Sequence, residues 1–148
     1  MYSEKEASAI RKKFWTSLGQ YLAPVPSASG ESVNWINYKT GIKGISFKMN
    51  ADTAGVYAAV EIYNQDIMLQ HHYFDLFHKF AKGSDIFSDW LFRKDCITES
   101  GITLSSISVE LKGVNILREE DWPTMISFIK KHLIILDEFW NEFKPAFE

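Results

Sequence analysis

Three groups of residues in this chain have types and spacings that could do chemistry. The first is His71, Asp75 and His78, at i, i+4 and i+7. On a helix these share one face, and two imidazoles with one carboxylate suit Zn²⁺ or Fe²⁺. A single helix rarely surrounds an ion with three ligands, so the competing reading is a solvated polar face; His72 is a neighbouring spare. The second group is the acid pair Asp52 and Glu61. Two carboxylates on adjacent strands can hold Mg²⁺, which activates a water for phosphodiester cleavage. The third is the segment from Pro24 to Gly44, which concentrates Ser27, Ser29, Asn34, Trp35, Asn37, Tyr38, Lys39 and Lys43. Its small residues leave backbone N–H groups open to an anion, its rings could stack on a flat ligand, and its amides pair donors with acceptors. The competing reading is a loop packed over the core, with Trp35 buried.

The elements that must position these residues follow from periodicity. Ser3 and Glu6 form a capping box ahead of a helix over about 4–22, striped by Ala7, Ile10, Phe14, Leu18 and Tyr21. Pro24 and Pro26 end it. Three strands are predicted, over 33–38, 44–50 and 56–63, with a hairpin loop over 50–55. Pairing 45 with 60, 47 with 58 and 49 with 56 puts both apolar sets on one side. A second helix starts at Asp66 as N-cap and ends by Gly83, with Leu69, Tyr73, Leu76, Phe77 and Phe80 inward. Two more strands are predicted over 90–94 and 103–111, joined by a turn over 95–101. A last helix runs from about 119–123 to 143. Its residues Trp122, Ile126, Ile129, Leu133, Leu136, Trp140 and Phe143 form a heptad stripe, which suits either the core or a homodimer.

The predicted fold class is therefore α+β. A mostly antiparallel five-stranded sheet, in the order helix, three strands, helix, two strands, helix, is covered by helices. At 148 residues and 17.1 kDa the chain suits one domain, 1–148. Apolar residues make up 46% and charged residues 24%, which excludes a disordered or rod-like chain.

The net charge of −3 argues against a dedicated nucleic-acid binder, but it is unevenly spread. Residues 1–50 carry seven basic and three acidic side chains; residues 51–148 carry nine and sixteen. Cys96 is the only cysteine, so no internal disulfide or cysteine metal cluster is expected, which fits a reducing, cytoplasmic setting. No apolar run reaches membrane-spanning length, and the N-terminus lacks a signal-peptide core. The G-x-G-x-x-G, Walker and G-x-S-x-G patterns are absent, so no cofactor is expected.

The helix, three strands, helix, strand order is similar to the core of restriction-endonuclease-like nucleases. Those proteins need a carboxylate on or after the second strand, then Glu-x-Lys on the third. Here Asp52 and Glu61 take the acid positions, but Tyr63 stands where Lys belongs. Longer strings point elsewhere. Phe14-Trp15, Gly19-Gln20-Tyr21, the run from Pro24 to Gly30, and Asn34-Trp35-Ile36-Asn37-Tyr38-Lys39-Thr40-Gly41 belong together with Gly113-Val114-Asn115-Ile116, Glu120-Asp121-Trp122-Pro123 and Leu136-Asp137-Glu138-Phe139-Trp140. Over about residues 7–147 the chain resembles the bacterial domain of unknown function 4268 family. Members occur alone and C-terminal to restriction-nuclease-like domains. The resemblance implies a place near DNA processing or defence and carries over no catalytic residue.

The leading expectation is a non-catalytic binding module that recognises its ligand, nucleic acid among the candidates, through residues 24–44. A divergent metal-dependent nuclease using Asp52 and Glu61, and a structural homodimer, are the alternatives.

Overall fold

The computed structural model describes residues 2–148. Helix α1 spans Glu4–Leu22 and opens on the expected capping box: Ser3 Oγ accepts from the Glu6 amide at 3.1 Å, and Glu6 Oε1 accepts from the Ser3 amide at 3.2 Å. Strands β1 (Ile45–Ala51) and β2 (Gly55–Ile62) form a hairpin. Helix α2 spans Ile67–Lys82 and is capped by Asp66, whose Oδ1 accepts from the Met68 and Leu69 amides. Strands β3 (Leu91–Ile97) and β4 (Thr103–Lys112) follow, and α3 spans Trp122–Phe143.

The sheet has four strands, in the order β1-β2-β4-β3, and every pairing is antiparallel. Because β4 lies between β2 and β3, α2 links two parallel strands across it. The sheet is therefore not a simple meander. All three helices pack on the face that carries Phe47, Val60 and Ile107 in one cluster and Ala51 and Val56 in the other. The opposite face carries cross-strand rows: Ser46, Glu61, Ser106 and Arg93; Lys48, Ala59, Ser108 and Leu91; Asn50, Tyr57 and Glu110.

Three expectations are corrected. The fifth strand, at 33–38, does not form. Side-chain bonds hold it instead of a ladder: Trp35 Nε1 donates to the Val25 carbonyl at 2.9 Å, and Asn34 Oδ1 accepts from the Asn37 amide at 3.2 Å. The β1–β2 register is Ile45 with Ile62, Phe47 with Val60, Met49 with Ala58 and Ala51 with Val56, two residues from the one expected. Asp52 explains the shift. Its Oδ1 accepts from the amides of Ala54 and Gly55 at 2.8 and 3.0 Å, which tightens the turn and lets two more residues pair. A shift of two preserves the faces, so the apolar sets stay together. The third correction concerns residues 95–101: β3 continues to Ile97, and its pairing with β4 is irregular between Arg93 and Cys96, where Asp95 adopts φ 61°.

The stripe on α3 lies within the chain's own core. Trp122, Ile129, Leu133, Leu136 and Trp140 are buried against the sheet, α1 and α2. No helix among the described residues is long and apolar enough to cross a membrane.

Gly44 sets the entry to β1. Its φ is 92°, its carbonyl accepts from the Tyr63 amide at 2.8 Å, and a Cβ there would collide with the Tyr63 carbonyl oxygen. Gly44→Ala is expected to destabilise the fold by about 2–4 kcal/mol in urea unfolding. A change under about 1 kcal/mol would mean that this junction relaxes freely.

Candidate cleft at the end of helix α3

The segment 24–44 is irregular but tightly held. Its anchor is Asp137, 1% exposed on α3. One carboxylate oxygen accepts from Ser27 Oγ at 2.8 Å and from the Tyr38 hydroxyl at 2.5 Å; the other accepts from the Ala28 amide at 2.7 Å. Burial, then the hydrogen bond and charge of Asp137, push the Tyr38 hydroxyl well above its ordinary range, so Tyr38 stays a donor. A second anchor is Trp140, whose Nε1 donates to the Thr40 carbonyl at 2.8 Å. Thr40 Oγ1 in turn donates to the Ile45 carbonyl at 2.7 Å, tying the segment to β1. The Tyr38 ring stacks on Phe47 at 4.9 Å, and Phe47 meets Trp140 edge-on at 5.9 Å.

Between this segment and the end of α3 lies a cleft of about 690 Å³. Six of the eight expected ligand-binding residues line it: Ser27, Ser29, Asn34, Asn37, Tyr38 and Lys39. The other two do not. Trp35 is 3% exposed and so cannot stack on a ligand, and Lys43 lies outside the cleft lining. The facing wall was not anticipated. It consists of Trp140, Asn141 and Lys144, with Glu148 at the rim. A sequence signal existed. Asp137 falls between Leu133 and Trp140 at i+4 and i+7, on a face that is otherwise apolar, and a carboxylate there needs donors from another element.

The cleft's charges come from both walls. Lys39 and Lys144 make no salt bridge among the described residues, and Glu31 lies in the same lining. Gly41, at φ 80°, leaves room for the Lys144 ammonium; a Cβ there would sit 2.6 Å from Nζ. The Asp137 carboxylate is filled by three donors and faces inward, so it organises the wall rather than reacting.

The other candidate groups are dispersed. Asp52 caps its own turn, and Glu61 lies on the helix-free sheet face in the row of Ser46. Val56 to Glu61 is five residues of β2, about 16 Å, so the two acids cannot share an ion. On α2, His71 Nε2 meets Asp95 at 2.8 Å, Asp75 meets Lys94 at 3.0 Å, and the His78 ring packs on Phe92 at 4.8 Å. These three side chains turn to three different partners. Among the described residues no group of three or more His, Cys, Asp or Glu is placed to hold a metal ion.

Comparison with known families decides the chain's kinship. The model of the family described as domain of unknown function (DUF4268) matches residues 10–144. The chain belongs to this family. No curated protein and no solved structure matches it. The DUF4268 span starts inside α1 and ends at Lys144, so it takes in both anchors, Asp137 and Trp140, and both walls of the cleft apart from its rim at Pro145 and Glu148.

Proposed function

We propose that this DUF4268 domain is a non-catalytic binding module whose recognition surface is the cleft between residues 27–40 and the end of α3. The observation that carries the reading is the buried Asp137. A carboxylate 1% exposed, accepting three hydrogen bonds from one loop, fixes that loop's shape before any ligand arrives. The ligand is polar and carries an anionic group. Lys39 and Lys144 meet that charge from opposite walls, while Asn34, Asn37 and Asn141 supply amides for its neighbouring polar groups. Glu31 and Glu148 in the same lining disfavour a long polyanion, so a nucleic-acid strand would contribute one or two phosphates rather than a tract.

Fluorescence anisotropy with labelled single- and double-stranded DNA, at low and physiological salt, tests the reading. Binding is expected at low salt, with log K falling against log salt at a slope of about −1 to −2. Lys39→Ala combined with Lys144→Ala should weaken it about tenfold, which is the value of one charge-assisted contact. Both side chains are polar and outside the core, so the melting temperature should hold. Absence of binding at low salt would remove nucleic acid as the ligand. Binding untouched by the double substitution would move the surface elsewhere.

A further inference from the structure

The sheet has an open stretch along the second half of β4. β3 pairs with β4 only as far as Leu91 with Ser108. Upstream of Leu91 the chain leaves the sheet: Trp90 is buried, and its amide donates to the Phe87 carbonyl at 3.1 Å. β4 itself runs on to Lys112. Which of its backbone groups face the open side follows from the ladder. The Gly113 amide donates to the Ala54 carbonyl at 3.1 Å, so Gly113 faces β2. Alternate residues of an antiparallel strand bond to the same neighbour. Leu111 and Val109 therefore bond to β2, opposite Val56 and Ala58. Ser106, Ser108, Glu110 and Lys112 turn the other way. Ser106 and Ser108 meet Arg93 and Leu91 there, but no backbone group among the described residues meets Glu110 or Lys112.

Beside this stretch lies a groove of about 700 Å³, bordered by Val109, Asp89 and Phe128 of α3. Val109, Leu111 and Phe128 are half-buried, so an apolar strip runs along the helix side of the opening. The groove carries both signs of charge: Glu61, Asp89 and Glu110 stand with Arg93 and Lys131. Glu110 is itself paired with Lys112 at 3.6 Å, and both side chains are well exposed. Such a lining does not select a charged small ligand. It suits a main-chain strand that carries both signs in matching order.

We propose that this stretch of β4 pairs with the same stretch of a second copy of the chain, antiparallel, about a two-fold axis at Leu111. The sequence Glu110-Leu111-Lys112 is self-complementary in that arrangement and in no parallel one. Glu110 falls opposite Lys112 of the second copy, and Lys112 opposite its Glu110, so unlike charges meet at both positions. Both are residues whose backbone faces the open side, so each pair exchanges two N–H···O bonds. Leu111 meets Leu111 of the second copy at the axis, on the apolar side. The ends also fit. The next residue, Gly113, has φ 85° and bends the chain toward Ala54, so the incoming strand turns away before it reaches Leu91. The result is one sheet continued across two copies, an isologous contact that closes on itself. It uses β4 and leaves the α3 stripe in the core of each copy.

Sedimentation equilibrium from about 10 µM to about 1 mM, the range in which a small interface associates, tests this. The mass should rise toward twice 17.1 kDa. Glu110→Lys places cations at both positions and Lys112→Glu places acids at both. Each alone should weaken self-association at least about tenfold, with the melting temperature retained. An equimolar mixture of the two variants should associate as the unaltered protein does, because unlike charges again meet at both positions. In the unaltered protein, amide exchange at Glu110 and Lys112 should slow as concentration rises. A monomer throughout the range, association that neither single substitution weakens, a mixture that stays monomeric, or exchange at these amides that ignores concentration would each overturn the proposal. None of these outcomes bears on the cleft at the end of α3.

Discussion

Asp137→Ala is expected to lower the unfolding free energy by about 3–5 kcal/mol. For a domain of this size that is a fall in melting temperature of roughly 10 °C. The reason is the asymmetry of buried hydrogen bonding. The substitution removes one small acceptor group but strands three donors: Ser27 Oγ, the Ala28 amide and the Tyr38 hydroxyl. Tyr38→Phe removes only one of these and leaves the stacking on Phe47, so its cost should be about 1 kcal/mol. The pair makes a double-mutant cycle: if the three donors act together, the effect of Tyr38→Phe should shrink in the Asp137→Ala background. Amide exchange at Ala28 should accelerate in Asp137→Ala beyond the loss of global stability. If stability moved by less than about 1 kcal/mol, the carboxylate would not be what shapes the cleft, and the proposed function would lose its main support.

Trp140→Ala should be comparably severe, at about 3–5 kcal/mol. The indole is 2% exposed and fills the space between Phe47 and Phe147, whose centroids lie 5.9 and 5.0 Å away. Its loss opens a cavity at the junction of sheet and α3 and leaves the Thr40 carbonyl without its donor. Two controls separate packing from anchoring. Trp140→Phe retains most of the volume but not the N–H, and should cost about 1–2 kcal/mol while shifting the amide resonances of residues 37–41. Phe77→Ala should cost as much as Trp140→Ala, since Phe77 is fully buried against Phe139 at 4.3 Å, but Phe77 is outside the cleft lining and those resonances should stay in place. Equal disturbance of residues 37–41 by Phe77→Ala would mean that the loop follows overall stability rather than Trp140.

Much of the fold was legible because local rules and burial agree along most of the chain. The Ser3–Glu6 box, the Asp66 cap and the alternation of Ile45, Phe47 and Met49 are short-range patterns, and each appears where its residues predict. Residues 33–38 show where such reading fails. Val33, Trp35 and Tyr38 have strand-forming side chains, yet no strand partner is within reach. Trp35 Nε1 and the Tyr38 hydroxyl bond to distant atoms, which fixes the loop from its side chains. Gln70 is a similar case. It is fully buried on α2, where its Nε2 donates to the Thr103 carbonyl at 3.3 Å and its Oε1 accepts from Ser105 Oγ at 3.1 Å; only the position of β4 explains a buried amide there.

The sequence by itself determined the α+β class, the three helices and the caps of the first two, the inward faces of the strands and the segment that forms one wall of the cleft. These follow from periodicity and capping, which depend on neighbours within a few residues. Tertiary structure alone decided that this segment is a loop, that Asp137 anchors it and Lys144 faces it across the cleft from about a hundred residues away, and that Asp52 and Glu61 stand apart. The physical reason is that a buried polar group is satisfied by whichever chain segment arrives, and arrival is a property of the packed fold rather than of spacing along the sequence.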